Sequence, residues 1–468
     1  MYKIYLPEGK NKYEFEELIK VFLKSGEFEI DNINTASERI QSSEKSIYVP
    51  EFSLLPDNLG KKEKDYKNEV KRFLYNELKK YTAKSPDWGI LTGVRPVKLA
   101  HELLEREKSE DSVKKILIQD YYLTEEKADL LLEILKCQRK ILGTSDKGAT
   151  GIYIGIPFCP TRCVYCSFPS NQEREEDISR YLLALHREID FVAKNMNEKG
   201  WYPESLYIGG GTPTTLSAEQ LDVLLSHTTN AFDLSHIKEF TVEAGRPDTI
   251  TIEKLKVFRR YGVDRISINP QSMVTRTLDR IGRAHRPDDI IEAFSMAKEA
   301  GIPVINMDLI AGLPGEEVDD FIFSLESLLK LVPENITVHT LALKRASRLK
   351  ELDSEFTYKQ GEMVRTMLQK ASEMLYHARY HPYYLYRQKQ MTGNLENTGY
   401  AKGNTEGIYN IRIMEEAQTI IALGAGGISK VYYPSENRLE RVANVSNFEI
   451  YIERLENMLQ RKSDNLFK

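Results

Sequence analysis

Between residues 151 and about 345, short apolar runs and longer amphipathic stretches take turns along the chain. The apolar runs are 151–157, 205–209, 239–244, 265–269, 303–310 and 335–341. Each has the length of a strand and is too short for a helix. Between them, 177–195, 217–230, 251–261, 287–300 and 317–331 carry apolar residues at helical spacing. Buried apolar strands separated by helices read as a parallel sheet. Six such units joined by right-handed crossovers curl into a partial barrel or an open doubly wound sheet. The fold class is α/β.

The pattern changes on both sides of this stretch. Strand-like pieces at 1–5 and 46–48 precede 64–81, where Val70, Phe73, Leu74 and Leu78 recur at helical spacing. Gly93 before Arg95-Pro96 predicts a turn opening the helix 97–107, and further helices are expected at 112–120 and 124–142. A basic pair, Arg95 and Lys98, at that helix start either receives a carboxylate or phosphate or belongs to a plain capped turn. Residues 147–151 read as a linker. Beyond 350 come a helix (358–379), a Tyr-rich stretch (381–389), a Gly/Asn-rich loop (392–407), an apolar segment (420–428) and a charged helix (447–461). The expected domains are an accessory unit at 1–150, a barrel at 151–349 and a smaller cap at 350–468.

Composition narrows the setting. With 41% hydrophobic and 29% charged residues the chain reads as an ordinary globular protein. A net charge of −5 argues against nucleic acid as a main partner. No apolar run approaches the roughly 18 residues that cross a membrane, and the first residues do not form a signal peptide. Four cysteines, three of them crowded together, leave no disulfide framework, so a reducing cytoplasm is expected.

Those three carry the strongest chemistry. Cys159, Cys163 and Cys166 lie within Cys-Pro-Thr-Arg-Cys-Val-Tyr-Cys, directly after the first barrel strand. Three thiolates can hold three irons of a [4Fe-4S] cluster and leave the fourth iron open. The alternative is a zinc site completed by His186 or Cys137. Gly209-Gly-Gly-Thr-Pro follows the second strand, where glycines let backbone approach a ligand. Glu243 ends the third strand, with Arg246 close by as a partner in its plainest reading. Gln271 ends the fourth, Arg283 follows it, and Asp308 stands inside the fifth, where an unpaired acid is seldom kept.

Together, Tyr153-x-x-Ile-Pro-Phe-Cys159-x-x-x-Cys163-x-Tyr-Cys166, Gly209-Gly-Gly-Thr-Pro-Thr and Asp308-Leu-Ile-x-Gly-Leu-Pro resemble the radical S-adenosylmethionine (SAM) superfamily. Within it the chain resembles the oxygen-independent coproporphyrinogen III oxidase family. The long amino-terminal unit, Leu91-Thr-Gly-Val-Arg-Pro, Gly155 and Ser167-Phe168 are similar to its HemZ branch. The resemblance implies a partial (β/α)6 radical SAM barrel with an amino-terminal accessory α/β unit and a carboxyl-terminal cap. It implies that Cys159, Cys163 and Cys166 ligate a [4Fe-4S] cluster whose open iron is chelated by SAM. Tyr153, Gly210 and Glu243 would contact that SAM, while Tyr165, Gly211, Thr212, Gln271, Arg283 and Asp308 match positions holding a second one. A SAM-derived 5′-deoxyadenosyl radical would oxidise two propionates of coproporphyrinogen III, giving protoporphyrinogen IX. A monomer served by reduced flavodoxin or ferredoxin is expected.

Two positions depart from the family pattern: Phe168 replaces a further cysteine, and Gly155 replaces a histidine. The first departure also occurs in haem-chaperone relatives, which carry a His-Asn-x-x-Tyr-Trp motif that 392–404 lacks. Methyl transfer is a further alternative. Lys344, Arg345, Arg387, Lys389 and Arg412 are candidate partners for substrate carboxylates, and Tyr383, Tyr384 and Tyr386 could flank a macrocycle.

Overall fold

Ile4 and Leu6 point to the core from β1 (Tyr2–Leu6), the middle strand of a small parallel sheet with β2 (Phe28–Asn32) and β3 (Ser46–Tyr48). Helices α1 (Tyr13–Phe22) and α2 (Leu59–Thr82) pack on each other through a core that takes in Phe15, Leu18, Val70, Leu74 and Leu78. Three helices follow: α3 (Pro96–Glu107), α4 (Glu110–Gln119) and α5 (Glu125–Leu142). Pro96 opens α3, and the Ser109 side chain caps α4 by accepting from the Ser112 amide. In this computed structural model all residues are described except 8–11, 25, 33–45, 51–58, 144–145, 167–173, 343–359 and 389–390. Lys344, Arg345, Lys389 and the Ser167-Phe168 pair therefore lie outside the described residues.

The chain divides into two compact units, and the first closes at Leu135, inside α5, ahead of the linker drawn from the sequence. It also takes in short pieces after Tyr386. One of them supplies Arg387, whose guanidinium carbon lies 4.9 Å from the Trp88 ring centroid. Arg387 donates to the carbonyls of Leu91, Val94 and Asn394 and is buried, so it is a packing residue of this unit.

The second unit carries the expected six strands: β4 (Ala149–Ile156), β5 (Tyr202–Gly210), β6 (Glu239–Glu243), β7 (Arg265–Gln271), β8 (Val304–Ala311) and β9 (Asn335–Thr340). They are parallel neighbours in chain order. The crossovers are α6 (Glu175–Glu198), α7 (Ala218–Ala231), α8 (Ile252–Arg260), α9 (Thr275–Arg280), α10 (Pro287–Glu299) and α11 (Val318–Leu331). Because the chain always returns in the same direction, the carboxyl ends of all six strands share one edge. One row of side chains, including Ile152, Ile154, Leu206, Ile208, Val242, Ile266, Met307 and Leu309, is fully buried. The alternate row is polar or aromatic: Tyr153, Tyr207, Glu243, Asn269, Asn306, Asp308 and His339.

The carboxyl-terminal segment, expected as a cap, builds onto this sheet at both edges. After α12 (Gly361–His377), β10 (Tyr380–Tyr386) and β11 (Asn397–Lys402) add antiparallel strands beyond β9. After α13 (Ile408–Glu415), β12 (Ile420–Leu423) pairs parallel with β4. β13 (Ile428–Tyr433) and β14 (Arg438–Ala443) continue antiparallel, and α14 (Phe448–Glu453) and α15 (Leu455–Asn465) end the chain. Pairing both open edges satisfies backbone groups that β4 and β9 would otherwise expose.

Buried charges fasten these additions. Arg412 of α13 is fully buried and donates to Glu204 of β5 at 3.0 and 3.2 Å, so it is a structural ion pair rather than a substrate contact. Glu204 also accepts from Lys238 at 2.9 Å and Gln418 at 2.6 Å. Likewise Glu188 accepts from Tyr451, Asn444 and the Gly424 amide, with Lys462 at 3.3 Å. Without Arg412, Glu204 would lose two charge-assisted hydrogen bonds and keep those from Lys238 and Gln418. Arg412→Met is expected to destabilise the protein by about 1.5–3 kcal/mol in chemical denaturation, since Lys238 still pairs with Glu204. An unchanged midpoint would contradict that assignment.

Candidate active site

The loop after β4 carries Cys159, Cys163 and Cys166, and all three line one cavity. Thr161, Tyr165, Gly211, Thr212, Glu243, Gly245, Arg246, Asn269 and Arg283 line it as well. These residues come from the loops at the carboxyl ends of β4 to β7, the edge that the parallel topology brings together.

The glycine turn is held against the cysteine loop. The Gly211 amide donates to Ile156 O and the Thr212 amide to Phe158 O, both at 2.7 Å. A Cβ on Gly211 would fall 2.5 Å from Phe158 O and 3.0 Å from the Cys159 sulfur, so only glycine fits beside that thiol. Thr212 Oγ1 lies 3.4 Å from the same sulfur. Gly210 sits at φ +113°, a conformation that glycine adopts readily. Gly211→Ala is expected to displace the cysteine loop and lower the iron bound per chain, measured after anaerobic reconstitution.

Glu243 is the carboxylate of the cavity. Tyr207 donates to it at 2.6 Å and the Gly210 amide at 3.2 Å. Burial pushes it up to about 7, with the Asp308 charge adding to the rise and the two donors opposing it. Behind it the Tyr153, Tyr207 and Tyr409 rings stack, with Tyr207 and Tyr409 centroids 4.5 Å apart. Arg246 does not pair with Glu243. It grips Asp248 through two bonds, at 3.0 and 2.9 Å, and donates to Thr161 Oγ1 at 2.5 Å, fastening the cysteine loop to the loop after β6.

Arg283 closes the other side. It donates to the Tyr165 hydroxyl at 3.1 Å and Gly245 O at 3.3 Å, and burial raises the Tyr165 phenol well above its ordinary range. Arg283 Nε, Asn269 Oδ1 and Gln271 Oε1 are buried polar atoms with no hydrogen-bond partner among the described residues. Gln271 also has φ +66°, beside a bulge in β7 between Ile268 and Gln271. Such unsatisfied groups suit a ligand bearing hydroxyl, amino and carboxylate functions.

Of the residues expected around the cofactors, the cavity unites the three cysteines with Tyr165, Gly211, Thr212, Glu243 and Arg283. Tyr153, Gly210, Gln271 and Asp308 are not among its lining residues. Tyr153 and Gly210 stand behind Glu243 in the ring stack and the hydrogen bond just described. Asp308, on β8, accepts from Asn306 at 2.7 Å and faces His339 at 3.5 Å. Sequence reasoning missed Tyr207, Asn269 and Tyr409. The first two were signalled by alternation within apolar strands, since Tyr207 and Asn269 share a face with Glu243.

The residues from 153 to 328 match the Radical SAM superfamily. The solved structure of coproporphyrinogen III oxidase (HemN) from Escherichia coli, a radical SAM enzyme, has this fold, with TM-score 0.54 and 20% identity over 68% of this chain and 72% of that one. The haem chaperone HemW of Bacillus subtilis is 37% identical over 194 residues, 41% of this chain and 50% of its own. The oxygen-independent coproporphyrinogen-III oxidase-like protein HemZ of Bacillus subtilis is 42% identical over 406 residues, 85% of this chain and 81% of its own.

Fold and site thus define a radical SAM protein, whose superfamily uses a [4Fe-4S] cluster and SAM. The three thiols facing one cavity, the Gly211 cradle and the unsatisfied polar atoms fit both groups. Within that superfamily the chain belongs to the family of HemZ.

Proposed function

We propose that this protein decarboxylates coproporphyrinogen III oxidatively to protoporphyrinogen IX without oxygen. The observation that carries this reading is the convergence of three thiols, Glu243 and Arg283 on one cavity in a chain that matches HemZ over most of both lengths. The HemW of Bacillus subtilis matches at lower identity and over half of its length, and that of Haemophilus influenzae at 28% identity over 71% of its length. Cluster and SAM together supply one-electron chemistry that yields a carbon-centred radical able to take a hydrogen atom from carbon.

Cys159, Cys163 and Cys166 would hold three irons and leave the fourth for SAM. Glu243, held by Tyr207 and the Gly210 amide, would receive hydroxyl or amino groups of that SAM. Arg283 and Tyr165 would receive a second ligand carrying a carboxylate, with Gln271 and Asp308 nearby on β7 and β8. The stacked tyrosines pack behind Glu243 and hold its side chain from that side. On the substrate, each of two propionates would give a hydrogen atom to the SAM-derived radical, release one carbon dioxide, pass one further electron to a one-electron acceptor and become a vinyl group. Reduced flavodoxin or ferredoxin would supply the cluster electron.

The test is anaerobic reconstitution followed by reductant, SAM and coproporphyrinogen III, with products read by mass spectrometry. Loss of two carbon dioxides per macrocycle is the expected result. Intact tetrapyrrole beside abundant 5′-deoxyadenosine would overturn it. Tight haem binding without conversion would assign a chaperone, and methylated product with S-adenosylhomocysteine a methyltransferase.

A further inference from the structure

The fourth cysteine has no place in the active site, yet it does not stand alone. Cys137, near the end of α5, His381 on β10 and Glu406 before α13 bring one ligand atom each to within 4.8 Å of one another. Cys137 donates to Glu406 Oε1 at 3.4 Å, and His381 Nε2 lies 3.0 Å from the same oxygen. Zinc bonds of about 2.3 Å to sulfur and about 2.0–2.1 Å to nitrogen and oxygen place tetrahedral neighbours about 3.3–3.6 Å apart. Two of the three edges are already near that size.

The position is opposite the active site. His381 pairs with Ala401, and Ala401 pairs with Asn335, the first residue of β9. The cluster of side chains therefore lies at the amino ends of the parallel strands, whereas the cysteine loop lies at their carboxyl ends. None of the three lines the active-site cavity.

Each ligand also stands on backbone that is held. Gln138, next to Cys137, donates to Tyr383 O at 3.1 Å, fixing the end of α5 on β10. Before Glu406, Thr405 O accepts from Arg265 at 2.8 Å, and beyond it the Ile408 amide donates to Glu239 at 2.5 Å. Access remains, since His381 is 32% and Glu406 15% exposed.

We infer that Cys137, His381 and Glu406 form a second metal site, for a thiophilic divalent cation such as zinc, with water at the fourth position. A thiolate and a carboxylate neutralise the two charges of the ion, so the half-buried site carries no net charge. The thiol favours zinc over magnesium or calcium. The metal would tie α5, β10 and the segment before α13 together, at the end of the sheet away from the redox cluster.

Elemental analysis of the cluster-reconstituted protein, after zinc exposure and gel filtration, should find one zinc per chain beside the cluster iron. Cys137→Ser and His381→Gln should lose the zinc and keep the iron. In a chain with Cys159, Cys163 and Cys166 all replaced by alanine, added cobalt(II) should show thiolate charge transfer that disappears when Cys137→Ser is added. Zinc should raise the melting temperature of the unaltered chain and leave that of Glu406→Gln unmoved. No bound zinc, or zinc that stays in both Cys137→Ser and His381→Gln, overturns the site. Folding of each variant is read from its circular dichroism and its retained iron.

Discussion

Cys163→Ser is expected to leave the protein folded, with its cluster lost and SAM cleavage abolished. Cys163 is buried in the cavity wall beside Cys159 and Cys166, and serine is close to it in size. What changes is the ligand: a hydroxyl stays protonated at neutral pH where a thiol near iron gives up its proton. The fourth cysteine cannot substitute, because Cys137 stands at the opposite end of the strands. Losing a partner that only orients a ligand costs about 10–100-fold in metal affinity or activity, and losing a ligand should cost more. Iron and sulfide content and 5′-deoxyadenosine formation measure the outcome. Retention of a full cluster in this variant would remove Cys163 from the ligand set.

Glu243→Gln is expected to weaken SAM binding and at the same time to stabilise the ligand-free protein in mild alkali. In the folded chain Glu243 titrates at about 7 because of burial, against 4.5 for an ordinary glutamate carboxyl such as the unfolded chain presents. As pH rises from about 4.5 to about 7, the unfolded chain gives up this proton first. Stability therefore falls across that window, by about 3 kcal/mol in all, and the contribution is flat above it. The amide of the variant carries no proton to lose, so the fall disappears. The variant should exceed the parent at about pH 8 by about 1–3 kcal/mol, part of the gain being offset by a poorer partner for Tyr207 or the Gly210 amide. SAM affinity should move the other way. In the parent it should rise with pH through about 7 as the carboxylate ionises, and in the variant that rise should vanish. Denaturation curves and SAM titrations at several pH values separate the two effects. A pH-independent affinity in the parent would exclude Glu243 as the ionising contact.

The two results together would distinguish the roles within one cavity. Cysteine replacement should abolish the cluster itself, whereas the glutamate variant should keep its iron and lose affinity for the nucleoside. Such buried acids, kept at a cost in stability, are common where ligands bind.

The linear chain disclosed the six parallel strands and their order closely, because the signal was local and repeated. Six apolar runs of strand length, each followed by a helical period, leave few arrangements open once crossovers are right-handed. The thiol loop was equally plain, since the spacing of Cys159, Cys163 and Cys166 is short and needs no distant partner. Gly209-Gly-Gly-Thr could be placed at the same mouth from its position after the next strand.

Tertiary structure decided what depends on contacts far apart in sequence. Arg387 and Arg412 look like free cations in the chain, and each is buried by a partner far away in sequence, 296 residues for Leu91 and 208 for Glu204. Arg246 was the natural companion for Glu243, yet Asp248 and Thr161 take all of its donors that the structure pairs. Whether residues after 350 would cap the sheet or join it could not be read locally. The exposed edges of β4 and β9 set where β12 and β11 pair, and an edge exists only once the sheet has formed. The meeting of Cys137, His381 and Glu406 is of the same kind. Periodicity fixes which residues lie on one face of one element; which faces then meet is settled by packing the whole chain.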